Sequence, residues 1–317
     1  MSALGASNAG AVRPRCAVVL VTHQTRDEVL GALASRPAAP HVHRIVVDSG
    51  STDGTAATVR AAHPDVEVVE LANVGFGRGA NAGIRRTDAP VVVVANADVR
   101  FDIGAVETLT SAFDEDAELG AAGPRVRYAD GSSQASARSH PGIATAVAHA
   151  LLGRLAPDNR WTQRYHQRDR DEGLARDVDW LSGCTLALRR SVAEELGGFD
   201  PGYFLYVEDL DLGRRLRDAG WRLRYVPTAG VVHSVGASTR QRRVRSVWLH
   251  ARSIDRYVAA RLRGRPSAVL RPLVPVPVAL WAIATWLAER SIGRGGSTTG
   301  ERPRAGSGST QLARGTA

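Results

Sequence analysis

The chain has 317 residues, of which 44% are hydrophobic and 23% charged, with a formal net charge of +9. These proportions are those of a globular chain with a core, and the length suits one large α/β domain with elaborations or two small domains. The two cysteines, Cys16 and Cys184, are too few for a disulfide framework or a thiolate metal site. All 41 basic side chains are arginine, a bias that reads as genome composition rather than chemistry. The positive excess suits a phosphate-bearing substrate, nucleic acid or an anionic membrane surface without choosing among them.

Met1 to Arg15 has no apolar run behind a basic start, so no secretory signal is read there and a reducing cytosol is the expectation. From residue 16 the pattern alternates. Cys16 to Thr22 is a continuous apolar run, the signature of a strand buried on both faces, and Asp27 to Ser35 follows as a helix. Arg44 to Asp48 reads as a second strand, ended by the turn cluster Ser49 to Gly54, which also caps a helix over Thr55 to Ala62. Val66 to Leu71 and Val91 to Ala95 are the third and fourth strands, and Asn73 to Asn81 opens a helix between them. Strand and helix alternating at this spacing predict a mostly parallel, doubly wound sheet.

Ala129 to Asp177 loses periodicity and is expected to be an elaborated, partly helical region over one sheet edge. Trp180 to Leu188 reads as a strand; a helix from Ser191, a Gly197-Gly198 turn, a helix from Asp209 and a strand over Arg222 to Val226 follow. Arg242 to Leu262 reads as a long basic helix. Val269 to Ala288 is apolar but broken by Arg271, Pro272, Pro275 and Pro277, so it suits an in-plane or docked segment better than a membrane span. The tail from Gly293 has the composition of a disordered segment. The expected domains are thus a disordered 1–15, a main α/β domain over 16–239, basic and apolar C-terminal helices over 240–292, and a disordered tail over 293–317.

In open parallel sheets ligands bind beyond the carboxyl ends of the strands. Here those ends carry Thr22-His23, Asp48 and Asn96-Ala97-Asp98. Asp48 is placed to hydrogen-bond a base or ribose, whereas Asp53 is expected to be a turn or cap residue. The run Gly75-Phe-Gly-Arg-Gly79 follows the third strand with the wrong spacing for a dinucleotide fingerprint, but a glycine-rich turn brings backbone amides close to a ligand. A carboxylate at Asp98 suits a hard cation held against a diphosphate, and helix capping is its bland alternative. His233, at the tip of Ala229-Gly-Val-Val-His233, is the second candidate ligand. The densest signal is the segment from Gly197 to Leu216, where Glu208, Asp209 and Asp211 gather at a helix start behind Tyr203-Phe-Leu-Tyr206. A carboxylate there is placed to take a proton from an attacking hydroxyl, although N-terminal capping also favours acids.

Taken in order over Val18 to Thr239, these motifs resemble the GT-A-fold family 2 glycosyltransferases. The resemblance implies an α/β GT-A domain, with a nucleotide-sugar-binding half over 16–128 and an acceptor and catalytic half over 129–239. It implies inverting transfer from a nucleotide-sugar with a divalent cation, Mg2+ or Mn2+. Donor contacts would fall on Thr22, His23, Asp48, Asn73, Gly75, Gly77, Asn81, Asn96 and Asp98, and metal ligation on Asp98 and His233. The base role goes to Asp209, with Glu208 an orienting or acceptor-contacting neighbour. Asn96 stands where the DxD motif has its first Asp, which leaves Asp98 as the motif's one carboxylate. Trp180, Ser182 and Gly183 are assigned to the acceptor side, with Trp180 placed to stack on a sugar.

A narrower likeness, in His149 to Gly153, Trp161 to Tyr165 and Trp180 to Cys184, is to the actinobacterial rhamnosyltransferases of cell-wall linker assembly. It implies dTDP-rhamnose as donor and a GlcNAc-diphosphate-polyprenol as acceptor, in a cytoplasmic enzyme peripheral on the inner membrane face through its C-terminal region. Transfer of another sugar, such as a hexose or galactofuranose, is the runner-up. A nucleotidyltransferase would carry a glycine-rich basic signature at the first strand, where this chain has His23-Gln-Thr25. An inactive sugar-nucleotide-binding scaffold has no need to keep Asp98, Asp209 and His233 together. Nucleic-acid binding would rest on arginine content alone, with no recognition motif.

Overall fold

The computed structural model describes residues 14–35, 39, 41–140, 171–234 and 243–263. The expectations placed on His149 to Gly153, Trp161 to Tyr165, Val269 to Ala288 and the tail lie outside these residues. The apolar run at the start forms β1 (Cys16–Thr22), every residue of which is buried. It is followed by α1 (Arg26–Ser35), β2 (Val42–Ser49), α2 (Thr55–Ala62), β3 (Glu67–Leu71), α3 (Phe76–Ile84), β4 (Val91–Asn96), β5 (Val99–Phe101), α4 (Ala105–Glu115) and β6 (Leu119–Arg127). Short strands β7 (Ser133–Gln134), β8 (Ala137–Arg138) and β9 (Arg176–Asp177) lead to β10 (Trp180–Leu181) and β11 (Thr185–Arg189). The described chain ends with α5 (Arg190–Glu195), α6 (Glu208–Asp218), β12 (Arg222–His233) and α7 (Arg243–Leu262).

Among the described residues one sheet runs through both expected halves in the order β3-β2-β1-β4-β11-β6-β12-β5, with β7 and β9 added on β6 and β12. The first four strands are parallel, and β11 is antiparallel to both β4 and β6. Alternation along the strands sends side chains to two cores. Val18, Leu20, Val46, Val91 and Val93 pack with α1, α2 and α4 through Val29, Val59 and Leu109. Val19, Val21, Ile45, Val47, Val92 and Val94 pack with α3, α5 and α6 through Ala80, Val192, Leu212 and Leu216.

Three expectations change. Trp180 to Leu188 is not one strand: Ser182 to Cys184 breaks it into β10, which pairs with β8, and β11, which joins the main sheet. The strand from Arg222 does not stop at Val226; it runs on to His233 through an irregularity between Val226 and Gly230. Val99 to Phe101 forms β5 against the end of β12, where the sequence reading placed no strand.

The glycines of α3 set how closely it packs. A Cβ built at Gly83 would lie 2.3 Å from Val19 Cγ1, and one at Gly79 would lie 3.0 Å from Val21 Cγ1. Gly83→Ala gains up to about 1 kcal/mol of helix propensity but overpacks the α3–β1 interface at a cost of roughly 1–3 kcal/mol. Overpacking is expected to win, lowering the melting temperature by roughly 2–6 °C in a calorimetric scan.

Candidate active site

The strand order reverses between β1 and β4: β1 has parallel neighbours on both sides, whereas β4 is parallel to β1 and antiparallel to β11, so the carboxyl ends of β1 and β4 open a crevice at a topological switch point. Thr22 ends β1 and Asp48 pairs beside it on β2. Thr22 Oγ1 is 2.7 Å from Thr25 Oγ1, and Asp48 Oδ1 accepts from the Ser51 amide at 2.9 Å. His23 Nδ1 lies 2.9 Å from the Ser49 carbonyl, which only accepts, so Nδ1 carries the ring proton. Its Nε2 then accepts from Asn73 Nδ2 at 3.1 Å. Thr22, His23, Asp48 and Asn73 therefore form one connected rim across three strand ends. Asp53 accepts from the amide and hydroxyl of Thr55, the capping role expected of it.

At the end of β4, Asn96 and Asp98 meet His233, which β12 delivers opposite Val99. His233 Nδ1 is 3.0 Å from Gln134 Oε1, Nε2 is 3.3 Å from Asn96 Nδ2, and the same Nε2 is 3.2 Å from Asp98 Oδ1. Donation from Nδ1 to Gln134 leaves Nε2 an acceptor, beside the amide of Asn96 and the Asp98 carboxylate, and an imidazole nitrogen and a carboxylate oxygen at this separation can both turn to a cation. Adjacent ligands of an octahedral cation at about 2.1 Å lie about 3.0 Å apart, so the pair fits such an ion. No group of three or more His, Cys, Asp or Glu placed to hold a metal ion occurs among the described residues. A cation here would take its remaining ligands from water and substrate oxygens, as Mg2+ commonly does. Gln134, which orients His233, sits in the region of lost periodicity and carried no sequence signal.

The acids of α6 divide by environment. The Asp209 carboxylate accepts from the Gly183 amide at 2.8 Å through Oδ2 and from the Leu210 amide at 2.8 Å through Oδ1. Burial pushes its pKa up, against these hydrogen bonds and the charge of Arg138. Glu208 is 6% exposed and its Oε2 has no hydrogen-bond partner; burial first and the neighbouring Asp209 second raise its pKa. Two carboxyl groups pushed upward side by side make a site poised for proton transfer. Asp211, 3% exposed, does something else: it binds Arg215 Nε at 2.7 Å, and Arg215 donates to the Leu196 and Gly198 carbonyls. Asp211 is therefore a brace for the Gly197-Gly198 turn.

The turn Ser182 to Cys184 joins the two ends of the site. Gly183 holds Asp209, while the Cys184 carbonyl accepts from the Asn96 amide at 2.9 Å. Burial pushes the Cys184 thiol up to about 11, which leaves it inert at neutral pH.

Several assigned residues prove to face protein. A Cβ at Gly75 (φ 84°) would meet the Phe204 carbonyl, whose oxygen instead accepts from the Phe76 amide at 3.1 Å. A Cβ at Gly77 would lie 3.0 Å from Phe199 Cβ. Asn81 accepts from the Phe199 amide at 2.9 Å and donates to its carbonyl at 2.7 Å. The room at Gly75 and Gly77 is thus taken by the Phe199 to Phe204 loop, and Asn81 clamps that loop. Trp180 is corrected in the same way. It is 5% exposed, donates to the Ser139 carbonyl at 3.2 Å and lies under Arg138 at 5.0 Å, so it offers no free face for a sugar to stack on.

Behind this loop lies α7. Ser253 donates to the Leu205 carbonyl at 3.0 Å, Arg256 binds both oxygens of Asp200, and His250 and Tyr206 rings are 4.9 Å apart. Tyr257 joins Trp180, Tyr203, Val207 and Leu210 in a small apolar cluster. Tyr206 and Val207 hold left-handed φ values of 68° and 70° directly before the acid pair. For a β-branched residue such as Val207 this conformation is strained.

A sequence profile described as "Glycosyltransferase like family 2" matches residues 14–264. The N-acetylglucosaminyl-diphospho-decaprenol L-rhamnosyltransferase of Mycobacterium tuberculosis, in strains CDC 1551 and H37Rv, is 37% identical over 268 residues, 80% of this chain and 87% of the relative. Among solved structures, the mannosyltransferase PcManGT of Pyrobaculum calidifontis, in complex with GDP-Man and Mn2+, aligns with a TM-score of 0.54 at 21% identity. That match covers 91% of this chain and 77% of the other. GalNAc-T7 with UDP, GalNAc and Mn2+ aligns at 0.52 and 14% identity over 73% of this chain and 45% of its own. These likenesses place the fold among the GT-A glycosyltransferases.

Two measurements separate the three acids. Asp211→Asn removes the brace on Arg215 and, with Arg215 partly exposed, is expected to cost about 2–3 kcal/mol, lowering the melting temperature by roughly 5–10 °C. Glu208 binds its proton more tightly folded than unfolded, so the stability it contributes is full below the unfolded value of about 4 and is lost as pH rises through the folded one. Glu208→Gln escapes that loss. Its stability relative to wild type should therefore climb with pH to a gain of roughly 1–3 kcal/mol and vanish near pH 4, as read from urea melts across the range.

Proposed function

The chain belongs to glycosyltransferase family 2, and from that premise we propose that it is an inverting, metal-dependent enzyme moving L-rhamnose from dTDP-rhamnose to a hydroxyl of a GlcNAc-diphosphate-polyprenol. The observation that carries this reading is the tie through Ser182 to Cys184, which sets the buried Glu208 and the half-buried Asp209 across a single turn from the Asp98–His233 pair. The identity of 37% over 80% of the chain supports the choice of donor and acceptor class.

Thr22, His23, Asp48 and Asn73 form the rim that would hold the nucleoside. Asp98 and His233 would hold a Mg2+ or Mn2+ ion, which when bound supplies positive charge against the leaving nucleoside diphosphate. Asp209, fixed by two backbone amides, takes the proton of the acceptor hydroxyl as that oxygen attacks the anomeric carbon from the face opposite the diphosphate. One bond forms, one breaks and the centre inverts. Glu208 holds its proton beside Asp209 and so spares it a second neighbouring negative charge. The amide of Gly183 keeps Asp209 aimed, and Ser182 and Gly183 border the acceptor side.

The lipid carrier of such an acceptor calls for peripheral contact with the inner face of the cell membrane through the region 240–292. No helix among the described residues is long and apolar enough to cross a membrane.

The test is a panel of nucleotide-sugars offered with a GlcNAc-diphosphate-polyprenol acceptor, with and without chelator, the product being read by mass spectrometry and its anomeric configuration by NMR. Rhamnose transfer from dTDP-rhamnose, with inversion and loss under chelator, is the expected result. Asp209→Asn should lower kcat by about 10²–10⁴-fold while donor affinity holds. Turnover with a different donor alone would overturn the rhamnosyl assignment, and near-normal turnover by Asp209→Asn would overturn the base.

A further inference from the structure

The outer face of α7 repeats one pattern. Arg245, Trp248, Arg252, Arg256, Ala260 and Arg263 recur at intervals of three and four residues and are all exposed, which places them on one stripe of the helix. Trp248 is 67% exposed, while Trp180 is buried and Trp221 packs against the sheet core. A bare indole between arginines three residues before and four residues after it combines apolar area with positive charge. That is the pairing favoured where an acyl layer meets anionic headgroups. Arg256 spends its charge on Asp200 and Arg245 lies 5.9 Å over the Phe204 ring, so Arg252 and Arg263 are the stripe's most outward cations. Asp255, the one acid of α7, is half-buried at the stripe's edge.

The opposite face of α7 is committed to the site. Ser253 holds the Leu205 carbonyl, His250 stacks on Tyr206, and Tyr257 packs with Tyr203, Val207 and Leu210. The helix therefore stands between the acid pair and whatever its arginine stripe meets. The sequence past α7 carries the apolar run Val269 to Ala288 with Trp281 and Trp286, a composition that also suits a lipid interface.

We propose that the Arg245–Trp248–Arg252–Arg263 stripe of α7 is the face on which the protein docks to an anionic bilayer, seating Trp248 at headgroup depth and holding the loop before Glu208-Asp209 one helix away from the membrane surface. This deepens the reading of a lipid-linked acceptor and rests on it for its purpose. The docking itself is measured without any acceptor.

The experiment is co-sedimentation of the full chain with phosphatidylglycerol-rich vesicles against pure phosphatidylcholine, alongside tryptophan emission. Wild type should partition onto the anionic vesicles, release with rising salt, and shift its emission to the blue. Trp248→Ala should lower partition and reduce that shift. Arg252→Glu, which changes the charge by two units, should weaken partition by about tenfold or more. Both side chains are exposed, and far-ultraviolet dichroism confirms that the variants fold. Equal retention of both variants, or no preference for anionic lipid, overturns the assignment and moves any contact to another segment. Concentration-dependent dimerisation abolished by Trp248→Ala would make the stripe a self-association face and also overturn it. With a short-chain, water-soluble acceptor the variants should match wild type; a loss there would mean that the stripe serves the site directly, against the proposal. Absence of wild-type turnover on any acceptor would sink the enzymatic reading but leave the vesicle result to decide docking alone.

Discussion

A single hydrogen bond, from the Gly183 amide to Asp209, fixes how the two halves of the site relate. Asp209 sits on a helix that packs under the sheet, and the Asp98–His233 pair sits at the sheet's carboxyl edge. The turn that donates to Asp209 is also the turn whose Cys184 carbonyl receives the Asn96 amide. A charged carboxylate drawn partly out of water pays desolvation unless it is met by donors. Two main-chain amides meet it, and they also set its direction. A side chain at Gly183 would crowd the carboxylate it holds, since a Cβ there would lie 3.1 Å from Asp209 Cβ.

Around this bond the acids are sorted by what surrounds them rather than by type. Glu208, Asp209 and Asp211 lie within four residues, yet one has an oxygen with no partner, one is held by amides, and one is neutralised by arginines. A strained entry delivers them. With Tyr206 and Val207 both left-handed, the helix begins without a side-chain cap, and its first turn exposes acids to the crevice instead of to water. The energy for that strain comes from contacts on all sides: the Asn81 clamp, the Phe204 carbonyl against α3, and α7 behind.

The strands that bury both faces were legible in the sequence because nothing else explains runs such as Cys16 to Thr22 or Val91 to Ala95. Strand ends rich in polar residues then located the crevice, and the order of Asp48, Asp98, Glu208-Asp209 and His233 carried the family. What stayed hidden depends on partners distant in sequence. β5 is only three residues long and exists because β12 pairs with it. The Ser182-Gly183 pair marked a turn inside the run from Trp180 to Leu188, but that its two sides join different sheets depends on β8 and β4. The glycines after β3 were visible, but whether their space faces a ligand or the Phe199 to Phe204 loop is a tertiary fact. Gln134 and Arg215 are ordinary polar residues until His233 and Asp211 are placed beside them.

The clamp between Asn81 and Phe199 closes across 118 residues of chain, and the contact between Asn96 and His233 across 137. Loops of this length bring an entropic cost that must be met before such contacts form, and ribosomal synthesis presents the amino-terminal strands first. β1, β2, β3 and β4 can therefore pair while the chain is still being made, with their valine edge waiting for β11. The acid pair and the histidine enter last. During that interval the nascent protein is a nucleotide-fold fragment with an open hydrophobic strand edge and no chemistry, the stage at which a holding chaperone would find most to bind.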